Sequence, residues 1–176
     1  MLSDTMGPAQ IAALLVLLQR ALEELYSERN TRRLLVHGAR EEGGDFYPVV
    51  AATHLSWIAG LALLVPPDAP VWSLPLAIFV ALQPLRYWII ATLGRFWTHR
   101  IVSLPRAPIV KRGPYRLTRH PNYAVAIAET FVLPLAFGQF AFAVIFATLW
   151  IVVLRHKIQL EDAALAKRSM RVEVAL

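Results

Sequence analysis

The chain has 176 residues, of which 57% are hydrophobic and 17% charged, and its formal net charge is +6. This composition is too apolar for a water-soluble domain of this length and indicates an integral membrane protein. The sequence contains no cysteine, which excludes disulfides, thiolate metal ligands and cysteine nucleophiles.

Five apolar stretches predict five transmembrane helices, because about 20 apolar residues are needed to cross a bilayer. The start of the chain lacks the basic segment and small-residue cleavage site of a secretory signal, so we expect the first stretch to be retained as a span. We therefore predict an all-α, polytopic membrane bundle that forms a single domain over residues 1–176. The predicted spans are 8–26, 47–66, 71–93, 121–137 and 139–157.

The basic residues concentrate in three of the segments that flank these stretches. Sixteen of the 18 lysines and arginines lie in 27–46, in 94–120 and in the tail from Arg155, whereas the turns at 66–70 and near Pro134 hold none. By the positive-inside rule, this predicts an external N-terminus and a cytoplasmic C-terminus. Nucleic-acid binding is not expected, since the basic residues are divided among loops and form no compact basic face.

Several charged or polar residues lie inside the predicted spans. We interpret Arg20, Glu23 and Glu24, near the end of the first span, as interfacial side chains that snorkel to water, with substrate gating as the alternative. Arg86 in the third span needs a partner or water. We interpret His54 in the second span as a hydrogen-bonded packing residue.

The most informative segment is Gly113-Pro114-Tyr115-Arg116-Leu117-Thr118-Arg119-His120-Pro121-Asn122-Tyr123. A polar cluster that opens a membrane helix is costly unless it binds something, so this segment predicts a site at the membrane interface. Glu129 follows inside the same span and must face the bundle interior. A buried carboxylate of this kind can serve as a proton acceptor, with a structural role as the alternative.

The end of the last span carries a second polar group, which includes Lys157, Glu161 and Asp162. The turn near Pro134 should bring this group beside Arg119 and His120. No metal site is expected, since no two histidines are spaced i,i+4. The sequence also lacks the glycine-rich motifs of nucleotide-binding folds.

Together these motifs resemble the isoprenylcysteine carboxyl methyltransferase family, which also includes phospholipid methyltransferase relatives. The greatest similarity is to short bacterial members that resemble O-methyltransferases of alkylpyrones and alkylresorcinols. The resemblance covers nearly the whole chain. It rests on Gly113-Pro114-Tyr115-Arg116, Arg119-His120-Pro121-Asn122-Tyr123, Glu129 and Glu161-Asp162, with further matches at Gln19-Arg20, Arg29-Asn30, Gly38-Ala39, Tyr47-Pro48, His54 and Leu93-Gly94-Arg95-Phe96-Trp97.

The resemblance implies an S-adenosylmethionine-dependent enzyme of the bacterial inner membrane, with an active site that faces the cytoplasm and a lipophilic small-molecule acceptor drawn from the membrane. The family tail usually has Arg and paired Glu where this chain has Lys157 and Glu161-Asp162. We expect Glu129 to act as a base on the acceptor, and Arg95 and Arg119 to position an ionised acceptor. The implied cofactor-binding residues are Tyr115, His120, Pro121, Tyr123 and Glu161.

Two alternatives remain open at this point. A prenylcysteine carboxylate is already ionised, so an enzyme that methylates it would need positioning groups but no base. A membrane lipid-binding or transport protein would also explain the spans and basic loops. However, a lipid-binding module would not need an acid inside the fourth span, and the chain lacks the repeated halves typical of transporters.

Overall fold

The computed structural model describes residues 6–105, 107 and 110–174, with side chains described as far as residue 166. Arg106 and the side chains of Lys167, Arg168 and Arg171, which contribute to the predicted charge asymmetry, lie outside this part. Each predicted apolar stretch corresponds to one helix. The helices are α1 Pro8–Val36, α2 Tyr47–Leu64, α3 Ser73–Leu93, α4 Pro121–Ala136 and α5 Phe140–Val174.

Three of these helical segments are long and apolar enough to cross a membrane, among the residues that the structure describes. They are Gly44–Leu64, Ser73–Phe96 and Phe140–Ala166. Helix α4 has 16 residues, and α1 continues well beyond its predicted end into a polar segment. The helical membrane bundle is confirmed, whereas the number of five spans stays a prediction.

Helix α1 exposes apolar side chains and buries charged ones, which is the reverse of the pattern on a helix that faces water. Leu18 and Leu22 are 57% and 59% exposed, whereas Arg20 and Glu23 are buried against the rest of the bundle. Such a distribution suits a helix whose outer face contacts lipid. The snorkelling interpretation of Arg20 and Glu23 is therefore wrong, because both side chains point towards protein and not towards an aqueous interface.

A two-stranded sheet joins two of the basic connections and is a departure from the predicted all-α fold. Strand β1, Arg40–Glu42, pairs antiparallel with strand β2, Ile101–Ser103, and Glu41 lies opposite Val102. Arg100 Nη1 also lies 3.2 Å from a carboxylate oxygen of Glu41. The pairing holds the 27–46 and 94–120 connections together at one end of the bundle.

The C-terminal part of α5 reaches this same end, where Lys157 Nζ donates to the carbonyl oxygen of His99 at 2.8 Å. At the opposite end, the turn before α3 contacts the turn after α4, since the Trp72 N–H donates to the Ala136 carbonyl at 2.8 Å. The three basic segments thus gather at one end and the turns without basic residues at the other. The positive-inside rule requires this arrangement.

The buried side chains form two clusters. The larger cluster packs α1, α2 and α4 together and includes Ala13, Trp57, Leu61 and Leu133. The smaller cluster contains Ala126, Trp150, Val153 and Leu154, with Val50, Tyr123 and Ile127 packed against it. It therefore fills the space between α2, α4 and α5 next to the start of α4.

We predict opposite signals from topology reporters fused at residue 68 and at the C-terminus. The reason is the segregation of basic segments to one end of the bundle. Reporters such as alkaline phosphatase and green fluorescent protein measure this directly. Matching signals at the two positions would contradict both the predicted orientation and a site that opens to the cytoplasm.

Candidate functional site

The polar segment before α4 is fixed against the end of α3. Gly113 has a φ of 53°, and a Cβ at this position would lie 2.9 Å from Thr92 Oγ1. Glycine is therefore required both by the left-handed backbone and by the close approach of α3. Arg112 adds a hydrogen bond from Nη2 to the Thr92 carbonyl at 3.3 Å. The segment enters the site in a defined conformation.

Two aromatic rings stack at the start of α4. Pro121 is the first residue of the helix, where its fixed φ favours helix initiation, and its side chain is buried. The rings of His120 and Tyr123, on either side of it, have centroids 5.3 Å apart and planes only 5° from parallel. The turn from segment to helix thus presents an imidazole and a phenol as one surface.

Glu161 of α5 completes this group. Its carboxylate accepts a hydrogen bond from the Tyr123 hydroxyl, and its second oxygen lies 3.2 Å from His120 Nδ1. Four of the predicted cofactor-binding residues, His120, Pro121, Tyr123 and Glu161, are involved, because Pro121 positions the two rings that contact Glu161. The structure brings these predicted cofactor-binding residues into one site.

Tyr115 also borders this site. Burial raises the pKa of the Tyr115 phenol, and the negative charge of Glu161 raises it further. The phenol therefore stays neutral at physiological pH and keeps its proton as a hydrogen-bond donor.

Lys157, one helical turn before Glu161, is a buried member of the site. Its ammonium lies 5.2 Å from the centre of the Tyr123 ring and donates to the backbone of His99. His99 Nδ1 in turn lies 2.6 Å from Glu24 Oε2. Burial lowers the pKa of His99 in spite of this carboxylate, so the imidazole is neutral and donates its Nδ1–H to Glu24.

The structure does not bring Arg95 or Arg119 into this group. Both side chains are exposed, and the Arg95 guanidinium lies over the ring of its neighbour Phe96, 5.0 Å from the centroid. Their role in positioning an acceptor stays a prediction, and no contact with the His120, Tyr123 or Glu161 side chains supports it.

Glu129 belongs to a separate buried group, which we call the ionic cluster. It consists of Arg20 and Glu23 of α1, Arg86 of α3 and Glu129 of α4. Arg20 Nη2 lies 2.7 Å and Arg86 Nη1 3.2 Å from the same Glu129 oxygen. Arg86 also donates to both oxygens of Glu23, at 2.7 and 2.6 Å. Arg86 thus has the partners that its position in a span requires.

Every carboxylate oxygen of the ionic cluster accepts a hydrogen bond. The second oxygen of Glu129 accepts from Gln83 Nε2 at 3.0 Å, and Arg20 Nη1 lies 2.9 and 2.8 Å from the two oxygens of Glu23. Two guanidinium groups therefore balance the charge of two carboxylates through direct side-chain bonds. The Glu129 carboxylate is held by two guanidiniums and an amide from other helices, so the geometry favours the structural alternative for Glu129.

Sequence reasoning noted Lys157 in the polar group at the end of the last span but did not predict it as a binding residue, and it missed His99. The i,i+4 spacing of Lys157 and Glu161 was a signal for the first, since it places both side chains on one face of α5. The position of His99 depends on the pairing of the two short strands, which the sequence does not indicate. In the part of the chain that the structure describes, no group of three or more histidine or acidic side chains could hold a metal ion.

Comparison with known proteins gives two matches. The isoprenylcysteine carboxyl methyltransferase (ICMT) family matches residues 75–167, more than half of the chain. The uncharacterised protein YpbQ of Bacillus subtilis (strain 168) is 32% identical over 161 residues, which cover 89% of this chain and 96% of that protein. No solved structure matches the chain significantly.

We predict that Glu129→Gln destabilises the protein by about 3–5 kcal/mol, because it leaves two buried guanidiniums with one carboxylate. The double variant Arg20→Gln/Glu129→Gln restores the charge balance and should recover a large part of the loss. Thermal unfolding in detergent micelles measures both. Unchanged stability in Glu129→Gln, together with a turnover loss of about 10²–10⁴-fold, would instead support a general base.

Proposed function

The chain belongs to the isoprenylcysteine carboxyl methyltransferase family, and on that premise we propose that it is an S-adenosylmethionine-dependent enzyme that methylates an oxygen of a lipophilic acceptor. Family membership itself indicates a membrane methyltransferase. The observation that carries the finer proposal is the contact of His120 and Tyr123 with Glu161. This contact lies where the apolar bundle meets its polar connections.

The residues of this site fit the cofactor's chemistry. S-adenosylmethionine, when bound, supplies a methyl group attached to a positively charged sulfur. Glu161 and the Tyr123 ring are suited to positive groups of a ligand, and Lys157 to a carboxylate. Asn122 Oδ1, beside them, is enclosed and has no hydrogen-bond partner, which provides an acceptor for a donor of the ligand.

The apolar cluster beneath these side chains supports the transfer step. Methyl transfer needs an aligned nucleophile and the exclusion of competing water. Ala126, Val153 and Leu154 are all buried next to Tyr123, so they can shield the reacting groups on the membrane side. Glu161, His120 and Tyr123 would orient the cofactor from the polar side.

The acceptor that we propose is an alkylpyrone-like or alkylresorcinol-like compound. The support is the resemblance to bacterial members of this kind, together with a reaction zone that borders lipid-exposed helix faces. A prenylcysteine carboxylate is the alternative acceptor, and its positioning would fall to Arg95 and Arg119, which are exposed and outside the site. A non-enzymatic lipid-binding or transport role does not account for the grouping of His120, Tyr123 and Glu161.

We predict that S-adenosylmethionine and S-adenosylhomocysteine bind to the purified protein in detergent and that His120→Ala weakens binding by about 1–3 kcal/mol, the usual cost of an unmet buried polar partner. Isothermal titration calorimetry measures this. His37→Ala is a matched control, since His37 is exposed at the end of α1. Absence of binding by folded wild-type protein would contradict the proposal.

We predict methyl transfer to an oxygen of an alkylresorcinol or alkylpyrone when labelled S-adenosylmethionine is supplied with a panel of acceptors. The panel should include a farnesylcysteine analogue and phosphatidylethanolamine, and mass spectrometry identifies the product. A methyl ether of the resorcinol is the expected result. A methyl ester of the farnesylcysteine analogue as the sole product would show that the acceptor is the prenylcysteine type.

A further inference from the structure

A cleft with a buried lysine lies at the end of the bundle where the two strands meet α2 and α5. Its empty volume is about 230 Å³, including the part that is open to solvent, and the space that a water-sized group can occupy within it is about 10 Å³. The narrow part therefore takes one oxygen-sized group, with the rest of a ligand at the mouth. The lining includes Phe46, Tyr47, Val50, His99, Arg100 and Lys157.

The cleft adjoins the proposed cofactor site. Lys157 Nζ lies 5.2 Å from the centre of the Tyr123 ring, and the Tyr123 hydroxyl donates to Glu161. Phe46 and Val50, on the wall of the cleft, pack against the same apolar cluster as Tyr123. A group bound to Lys157 would thus lie next to the aromatic ring that we propose to face the cofactor.

The positive charge of Lys157 is not balanced by a direct ion pair. The residue is only 6% exposed, and its ammonium donates to the neutral carbonyl of His99 at 2.8 Å. Within the part of the chain that the structure describes, it forms no ion pair with a carboxylate. A buried charge is costly unless it is paired. The unpaired ammonium therefore points to a ligand that carries a negative charge.

The carboxylates near Lys157 are engaged elsewhere. Those whose charge acts on it are Glu161 of α5 and Glu24 of α1. Glu161 is bound to Tyr123 and lies 3.2 Å from His120 Nδ1. Glu24 lies 2.6 Å from Nδ1 of the neutral His99. Neither carboxylate is placed as the direct partner of the ammonium.

Arg100, the other cation that lines the cleft, has its own partners. Its Nη1 lies 3.2 Å from a carboxylate oxygen of Glu41, and its guanidinium lies over the Tyr47 ring, 5.1 Å from the centroid. Water in the cleft could accept a hydrogen bond from Lys157 but would not balance its charge. An anionic oxygen would do both.

The wall of the cleft favours an amphiphile from the membrane as the source of that oxygen. Phe46 and Val50 belong to Gly44–Leu64, a segment that is long and apolar enough to cross a membrane. Val49, beside Val50, is 44% exposed and would contact acyl chains. A ligand could therefore hold its charged oxygen at Lys157 and leave an alkyl tail in the bilayer.

We propose that the cleft binds the reacting oxygen of the methyl acceptor in its ionised form, with Lys157 as the counter-cation. This inference rests on the proposed function. A 4-hydroxy-2-pyrone is a vinylogous carboxylic acid and would enter as an enolate. A resorcinol is neutral in water and would lose a proton when its hydroxyl binds beside the ammonium. In neither case does a protein side chain have to act as a base.

The proposed step is balanced as follows. A resorcinol first loses its proton to water at the open mouth of the cleft, whereas the pyrone enolate has none to lose. The oxygen then forms a bond to the methyl carbon of S-adenosylmethionine, while the carbon–sulfur bond breaks and its electron pair stays on sulfur. The anionic oxygen and the sulfonium become a neutral methyl ether and an uncharged thioether in S-adenosylhomocysteine.

The first test compares two pyrones that differ only in the charged oxygen. Isothermal titration calorimetry measures the binding of a 6-alkyl-4-hydroxy-2-pyrone and of the 6-alkyl-2-pyrone without the hydroxyl, each in the presence of S-adenosylhomocysteine. We expect Lys157→Gln to weaken the hydroxypyrone about 10–100-fold and the neutral analogue by less than about 3-fold. Lys157→Arg keeps the charge and should retain the preference for the hydroxypyrone.

Two further variants support this comparison. Lys111→Gln is the matched control, since Lys111 is an exposed lysine of the 94–120 connection, and it should behave as wild type. Lys157→Met is a second neutral variant and should reproduce the selective loss seen in Lys157→Gln. Thermal unfolding establishes that each variant is folded.

The carboxylate of the cofactor is the other possible source of a negative charge at Lys157. Binding of S-adenosylhomocysteine and of 5′-methylthioadenosine, which lacks that carboxylate, separates the two sources. We expect Lys157→Gln to bind both within about 3-fold of wild type. A loss of about 10-fold or more that is confined to S-adenosylhomocysteine would overturn the inference and assign Lys157 to the cofactor.

The pH dependence of turnover with a resorcinol gives a readout that a structural role of Lys157 would not change. The ammonium favours the ionised hydroxyl, so turnover should rise with pH until the bound hydroxyl has lost its proton. Without the ammonium, this rise should move upward by about 1–2 pH units, the equivalent of a 10–100-fold loss. The hydroxypyrone is already ionised and should not show the rise.

Failure of this inference and failure of the proposed function give different results. Equal losses for both pyrones in Lys157→Gln, or no loss for either, would overturn the inference while methyl transfer by wild type remains. Absence of S-adenosylhomocysteine binding by wild type would overturn the proposed function. Hydroxypyrone binding that depends on Lys157 would then still support an anion site in the cleft.

Discussion

The ionic cluster is the constraint on which the rest of the structure depends. Burial removes Arg20, Glu23, Arg86 and Glu129 from water, which is costly for each charge alone. The cost is offset because each guanidinium bonds to carboxylates from more than one helix. Helices α1, α3 and α4 must therefore keep one relative orientation. That orientation also sets which face of α4 carries Tyr123 towards α5.

The fixed position of α4 places a polar group and an aromatic group of side chains at different depths of the bundle. His120, Tyr123 and Glu161 form the polar site at the end of the bundle. His54 and Trp150 lie deeper, between helices whose outer faces are apolar. In the proposed reaction, the charged cofactor would approach the polar site from the aqueous side and the lipophilic acceptor from the bilayer. The side chains of α4 and α5 that pack next to Tyr123 would exclude water from the reacting groups.

The sequence predicts the helices well because a long apolar segment in a membrane must satisfy its backbone hydrogen bonds internally, as an α-helix does. It also predicts that the start of α4 meets Glu161, since a tight turn returns α5 to the same end. It does not predict the burial of Arg20, because helical spacing does not show which face meets lipid. The roles of Lys157 and His99 depend on the strand pairing, a long-range contact between connections without a strong local pattern.

A high-resolution structure of the protein with bound S-adenosylhomocysteine tests most directly whether cofactor binding and the ionic cluster are separate. The expected result is ligand density beside His120, Tyr123 and Glu161, with the Tyr123–Glu161 contact opened and the Arg20 and Arg86 bonds to Glu129 unchanged. Ligand bound at Glu129, with those two arginine bonds broken, would contradict the structural role of the ionic cluster and return Glu129 to the reaction itself.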